Sequence, residues 1–187
     1  MTDSNLKFRL ATADDAPQVQ AMVESAFRAE DSRPEWTADM KLGSSFRVGV
    51  DKVLSQITKP DGGIVMATDN NGALVGSIEV FKASPDLARL SMLAVDQSYQ
   101  QGGIGRQVLA YAEDYCQKTW GVKTLGLNAL STRQELISWY MRRGYQKTGE
   151  VSPFPKERLR ELGLPEDMGF VELEKDVSTG PTAAGDA

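Results

Sequence analysis

Leu93-Ala94-Val95-Asp96 and, three residues further on, Gln100-Gln101-Gly102-Gly103-Ile104-Gly105-Arg106 form the most telling stretch of this chain. An apolar run enters a glycine-rich turn, and behind the turn Ile104, Val108, Tyr111, Ala112, Tyr115 and Cys116 recur at helical spacing. The pattern predicts a buried strand, a turn and a helix opening at Gly103–Gly105. Such a turn presents successive backbone N–H groups at the positive end of a helix dipole, which suits a phosphate. Glycine lets the anion approach the backbone closely. The same glycines also suit a tight turn that binds nothing. Two familiar phosphate loops do not fit. Gly105 is followed by Arg106 and Gln107, where a Walker loop needs Lys and then Ser or Thr. Val108 stands where the dinucleotide fingerprint needs a third small residue, and an antiparallel hairpin upstream does not belong to that fold.

That hairpin is predicted from Asn70-Asn71-Gly72, which joins the apolar run Ile64–Ala67 to a returning strand over Leu74–Phe81. Leu87–Val95 reads as the next strand, apolar enough to be central. Further upstream, Leu6–Leu10 alternates as a first strand, and Thr12 to Asp15 has capping-box spacing. Ala16, Val19, Met22, Val23, Ala26 and Phe27 form a helical stripe, and a second helix covers Val50–Gln56. Downstream, Lys123–Leu130 is expected to run parallel to Leu87–Val95 through a right-handed crossover. Thr132-Arg133-Gln134-Glu135 has the form of a full capping box for a helix carrying Leu136, Ile137 and Tyr140 and ended by Gly144. Tyr145–Val151 and Phe170–Asp176 read as closing strands, with a loop between them marked by Pro153, Pro155 and Pro165. The expectation is one domain over residues 5–177 and a disordered tail over 178–187.

Composition narrows the chemistry. The 187 residues contain no histidine and one cysteine, Cys116, which excludes His-based triads, His metal ligands, intrachain disulfides and thiolate metal clusters. No metal is expected. A net charge of −5 disfavours the phosphate backbone of nucleic acids. No apolar run reaches the length of a membrane span, so a cytoplasmic protein with nuclear access is the expectation.

The glycine-rich stretch is similar to the acetyl-CoA loop of the GNAT superfamily of N-acetyltransferases, Gln/Arg-x-x-Gly-x-Gly/Ala, with Gln100, Gly103 and Gly105 in register behind Leu93-Ala94-Val95-Asp96. Leu136, Trp139, Tyr140, Arg143, Gly144 and Tyr145 resemble that family's second conserved helix end. The stretch from Arg133 through Glu150 to Pro153-Phe154-Pro155 resembles an uncharacterised microbial and fungal subgroup. The likeness extends over Leu6 to Val177. It implies an α/β fold with a mixed, mostly antiparallel sheet of about six or seven strands and about four helices on both faces.

The resemblance also implies roles. Leu93, Ala94 and Val95 would meet the pantetheine arm of acetyl-CoA. Gln100, Gln101, Gly102, Gly103, Ile104, Gly105 and Arg106 would wrap its pyrophosphate. Tyr140 matches the family's acid at the departing thiolate, although tyrosine at helical spacing also suits a core. Arg133 stands where the family often has Asn, with Asn128 on the preceding strand. A carboxylate often found on the strand before the loop is missing here, where Arg89 and Ser91 stand. Glu79, on the neighbouring strand, is the nearest candidate base; alternation turns it away from Ile78 and Val80, which equally suits a solvent-facing glutamate. Glu135 is better explained by the capping box. In the family the first two helices and the loop between them shape the acceptor site, here Phe27 to Gln56. Trp36, Phe46, Glu30, Asp31, Glu35 and Asp39 could receive a cationic amine there, and general surface acidity gives the same residues. The implied acceptor is an amine of a small molecule or peptide, and the implied assembly a monomer or homodimer. A non-catalytic domain that binds or senses CoA or acyl-CoA is the alternative.

Overall fold

The computed structural model describes residues 6–28, 48–96, 98 and 103–178. Its hairpin forms at Asn70-Asn71-Gly72 for a local reason. Asp69 Oδ1 accepts the backbone N–H groups of Asn71 and Ala73, each at 2.9 Å, while Gly72 takes φ +82°. That conformation is cheap for glycine and strained for other residues.

The strands are β1 (Lys7–Leu10), β2 (Gly62–Thr68), β3 (Leu74–Ser84), β4 (Leu87–Val95), β5 (Thr124–Leu130), β6 (Gln146–Pro153) and β7 (Gly169–Asp176). The α-helices are α1 (Ala16–Arg28), α2 (Val50–Thr58), α3 (Ile104–Trp120), α4 (Gln134–Arg142) and α5 (Lys156–Leu162). The strands make one seven-stranded sheet in the order β1-β2-β3-β4-β5-β7-β6, parallel at β4–β5 and antiparallel at every other pairing. On one face Val65, Ile78, Val80, Leu90, Leu125 and Leu127 pack with Val108, Leu109, Ala112 and Cys116 of α3 and with Ile137 and Tyr140 of α4. On the other, Ile64, Met66, Leu74 and Ala94 pack with Val19, Val23 and Val53 of α1 and α2. Covered on both faces, β3 is buried from Leu74 to Val80. The fold is therefore the expected mixed α/β layer with a mostly antiparallel sheet.

Two local expectations are corrected. The segment between β6 and β7 is not a simple loop: α5 stands there, with Leu159 packed against Leu164 and Met168. Pro155 precedes its first turn with φ −57°, and a proline fits there because the opening N–H groups of a helix have no intrahelical partner. The capping box at Thr132–Glu135 also does not form. A turn from the Arg133 N–H to the Leu130 carbonyl makes Arg133 the cap, so α4 begins one residue later. Thr132 Oγ1 points to Met168 Sδ, 3.8 Å away. At Thr12 the box does form: Asp15 Oδ2 accepts the Thr12 N–H at 2.7 Å and pairs with Arg9 at 2.7 Å. The predicted tail beyond Ser178, and the residues 29–47 that contain Trp36, Phe46 and the acidic Glu30, Asp31, Glu35 and Asp39, lie outside the described residues.

Candidate active site

The site begins with one extra residue in β4. Ser77 pairs with Ala94 and Glu79 with Ser91, so two steps along β3 face three along β4. The surplus is a β-bulge, and Met92 within it takes φ +55°. A bulge bends its strand. β4 pairs with β5 only from Leu87 to Arg89, against Thr124 to Gly126, whereas β5 stays paired with β7 along its whole length. From Leu90 onward β4 and β5 part, and a wedge opens within the sheet. It runs along roughly 16 Å of β4 towards the turn that opens α3.

At the wide end of the wedge, Gly103 caps α3 in the left-handed region, φ +72°. A Cβ on Gly105 would lie 3.6 Å from Val95 Cγ2 and 3.9 Å from Trp139 Cζ2, so strand, turn and α4 meet there. A Cβ on Gly103 would be 3.7 Å from Arg106 Nη2. The Arg143 guanidinium lies 4.6 Å over the Trp139 ring, and among the described residues its Nε is the buried side-chain polar atom with no hydrogen-bond partner. Burial lowers the pKa of Arg143, and the charges of Arg142 and Arg106 lower it further. Like charges at a helix N-terminus, one donor unsatisfied, are what a phosphate relieves. Gln100, Gln101 and Gly102 lie outside the described residues; Gly103, Ile104, Gly105 and Arg106 hold this end.

Along the wedge, α4 supplies Tyr140. It is buried, packed edge-on to Trp139 (centroids 5.2 Å apart) and to Tyr145 (5.9 Å). Burial pushes its pKa up to about 12, partly opposed by the charge of Arg133. Among the described residues nothing bonds its hydroxyl, and the oxygen is not sealed from solvent. At neutral pH it is a phenol with a hydroxyl to donate.

Glu79 is not solvent-facing. Alternation does turn it away from Ile78 and Val80, but α1 and α2 cover that face too, and Glu79 is 8% exposed. Its Oε1 accepts Gln56 Nε2 at 3.0 Å and Ser91 Oγ at 2.7 Å. Both donors converge on one oxygen. Among the described residues none donates to Oε2, which is not sealed from solvent. The Gln56 amide also lies 3.2 Å from Met92 Sδ, so α2 braces both the carboxylate and the bulge.

The sequence profile of the acetyltransferase (GNAT) family matches residues 24–145, well over half of the chain. The chain belongs to the GNAT acetyltransferase family. Its fold is similar to that of the ribosomal-protein-S18-alanine N-acetyltransferase from Escherichia coli, at 18% identity over 92% of this chain and 94% of that one, with a TM-score of 0.68. It is also similar to the spermidine/spermine N-acetyltransferase from Vibrio cholerae (13% identity, 96% of each chain, TM-score 0.66) and to the IAA acetyltransferase from Bacillus cereus (13%, 92% and 99%, TM-score 0.63). At these identities the likeness is one of fold. Curated protein sequences give no match.

In this GNAT domain the structure brings Leu93, Ala94, Val95, Gly103, Ile104, Gly105 and Arg106 to one wedge with Tyr140 beside it. Glu79 lies one strand away, on the α1/α2 side of the sheet. Glu135 stands in the first turn of α4 with no box to complete. Asn128 donates to Glu172 Oε2 at 3.1 Å. Sequence reading missed Gln56 and Arg143. Gln56 interrupts the apolar stripe Val53, Leu54, Ile57, and a polar residue in a buried stripe signals a polar partner across it. Arg143 follows Trp139 and Tyr140 at helical spacing, which places it on the same face. Among the described residues no cluster of three or more metal-ligating side chains is present, and no helix is long and apolar enough to cross a membrane.

Proposed function

We propose that this chain transfers an acetyl group from acetyl-CoA to a primary amine of a small molecule or peptide by direct attack in a ternary complex. The observation that carries the reading is the wedge itself, with Arg106 and Arg143 at its wide end and the unbonded Tyr140 hydroxyl along its side. The arginines and the α3 N-terminus suit the pyrophosphate, and the β5-facing edge of β4 suits the amide-bearing pantetheine arm.

The amine nitrogen attacks the thioester carbon, and a C–N bond forms as the C–S bond breaks. As that bond forms the nitrogen becomes acidic, and Glu79 Oε2 takes its proton. Gln56 and Ser91, by occupying Oε1, leave Oε2 for that task. The departing sulfur accumulates negative charge. A phenol held near 12 is a weaker acid than a thiol, which titrates near 8.5, so Tyr140 gives the sulfur a hydrogen bond and the leaving thiolate takes its proton from water.

The test pairs binding with turnover. Acetyl-CoA is expected to raise the melting temperature, by mass action on the folded state, and ATP and NAD at equal concentration are not. Free thiol is expected to appear when amines are added. No shift with CoA at millimolar concentration overturns the reading, and a shift without thiol release across an amine panel leaves a CoA-binding domain.

A further inference from the structure

Past the wedge, the α1/α2 face of the sheet carries a second polar group. Arg89, Asn128 and Glu172 lie on it, because the residues beside them, Leu90, Leu127 and Leu173, belong to the core on the opposite face. Asn128 is exposed, so this part of the face is open. Arg89 crosses Gly126 to reach Glu172: its Nη2 is 3.1 Å from Glu172 Oε1, and a Cβ on Gly126 would lie 3.1 Å from its Nη1. Glu172 is itself bonded on both oxygens. Its Oε2 accepts Ser152 Oγ at 2.5 Å and Asn128 Nδ2 at 3.1 Å, and its pKa is lowered by Ser152, Asn128 and Arg89 against the effect of burial. Arg89 is therefore held against the sheet by a carboxylate already engaged on both oxygens. Among the described residues Nε and Nη1 of Arg89 have no acceptor, and neither is sealed from solvent.

The position matters as much as the geometry. Arg89 is the last β4 residue paired with β5, so it marks the apex of the wedge, opposite the end where Arg106 and Arg143 stand. A thioester with its phosphates at that wide end directs its acyl group towards this apex. Glu79 faces Ser91 across the β3–β4 ladder, and Arg89 faces Phe81, which makes Glu79 and Arg89 diagonal neighbours on one face, roughly 7–8 Å apart at Cα. One carboxylate oxygen open to an amine stands beside one guanidinium open to an anion.

Resting on the acetyl-transfer reading, we propose that the acceptor is an amine that also carries a carboxylate a few bonds away, of amino-acid chemistry, and that Arg89 receives that carboxylate while Glu79 addresses the amine. Glu172, with Asn128 and Ser152, is the positioning group. A guanidinium fixed from one side retains a fork of donors for a second carboxylate.

The experiment uses the full chain with acetyl-CoA and measures kcat/KM by thiol release, at one pH, for amino acids and for their methyl esters. Wild type is compared with Arg89→Gln and Glu172→Gln. Arg89→Gln is expected to lower the acid-to-ester ratio by about 10- to 100-fold, chiefly through KM of the acid, with the ester and the KM for acetyl-CoA little changed. Glu172→Gln leaves the guanidinium and removes its counter-charge, so the ratio is expected to hold or rise. A structural bridge alone would make the two variants behave alike. An unchanged ratio in Arg89→Gln, or a ratio lowered equally in both variants, overturns the proposal and leaves the acetyltransferase reading intact. Absence of thiol release with any amine overturns both.

Discussion

Tyr140 and Tyr145, with ring centroids 5.9 Å apart, put their hydroxyls to opposite uses. Tyr145 donates to Glu113 Oε2 at 2.8 Å, and Lys175 Nζ completes that carboxylate at 3.1 Å on Oε1. Tyr140 has the same burial-driven rise in pKa and no such bond. One tyrosine closes the core. The other keeps its hydroxyl unbonded among the described residues.

The pair can be separated by the same substitution at each position. Tyr140→Phe keeps the ring and is expected to lower kcat by about 100-fold or less, the lower end of acid–base effects, with the melting temperature nearly unchanged. Tyr145→Phe strips a hydrogen bond from a partly buried carboxylate and should cost roughly 1.5–3 kcal/mol of stability while the surviving folded protein turns over normally. Denaturant melts and steady-state kinetics on both variants decide it. Wild-type turnover in Tyr140→Phe removes Tyr140 from the reaction.

Arg143 carries an unsatisfied donor, and removing it should help the fold while harming binding. Arg143→Met keeps the packing on Trp139 and eliminates the buried Nε. Stability is expected to hold or rise, and KM for acetyl-CoA to rise about tenfold, with a weaker dependence on salt than in the wild type. Titration of acetyl-CoA at two ionic strengths reads both effects. Equal affinity in the variant would place the phosphates elsewhere.

Gly103→Glu sets a carboxylate at the turn proposed to receive the pyrophosphate. The thermal shift with acetyl-CoA is expected to vanish. Gly103→Ala is the control: it shares the penalty of about 1–2 kcal/mol for a side chain at positive φ, without the charge, and should retain part of the shift. Equal loss in both variants would point to strain rather than repulsion.

Acid sensitivity should show at the start of α1. Arg9, then the N–H and hydroxyl of Thr12, hold the Asp15 carboxyl well below the usual range. A depressed folded-state value adds stability that is full above the unfolded value, about 3.9, and fades as pH falls below it. Asp15→Asn should therefore cost roughly 0.5–2 kcal/mol at neutral pH, the scale of a lost cap, and the gap to wild type should narrow below pH 3. Urea melts at pH 7 and pH 2.5 test this; a constant gap would mean that charge plays no part.

Most of the sheet was legible because its signals are local: the Asn-Asn-Gly turn, the apolar runs and the glycine turn that opens α3. What escaped depended on a second layer. Alternation gives the face on which Glu79 lies, but only the packing of α1 and α2 over that face turns it from a surface group into a buried one. The Met92 bulge leaves no mark in composition, since any β4 residue can be the extra one until β3 is laid beside it. α5 hid behind prolines that read as breakers and serve instead as its threshold. Gln56 had a signal, a polar side chain in an apolar stripe, whose partner 23 residues away becomes visible only in three dimensions.

The bulge also acts as a frame shift. In an unbroken strand every residue added or lost exchanges the two faces for everything beyond it. With Met92 inserted, Ser91 and Ala94 both look towards α1 and α2, and Leu93 and Val95 towards α3. A strand that kept Met92 in regular alternation could zip β4 onto β5 to the end, gaining rungs and rigidity. It would also send Leu93 and Val95 to the side where Glu79 now waits, and it would close the wedge proposed for the thioester. The sheet is deliberately unfinished along one seam, and the room for chemistry is the length of ladder it leaves undone.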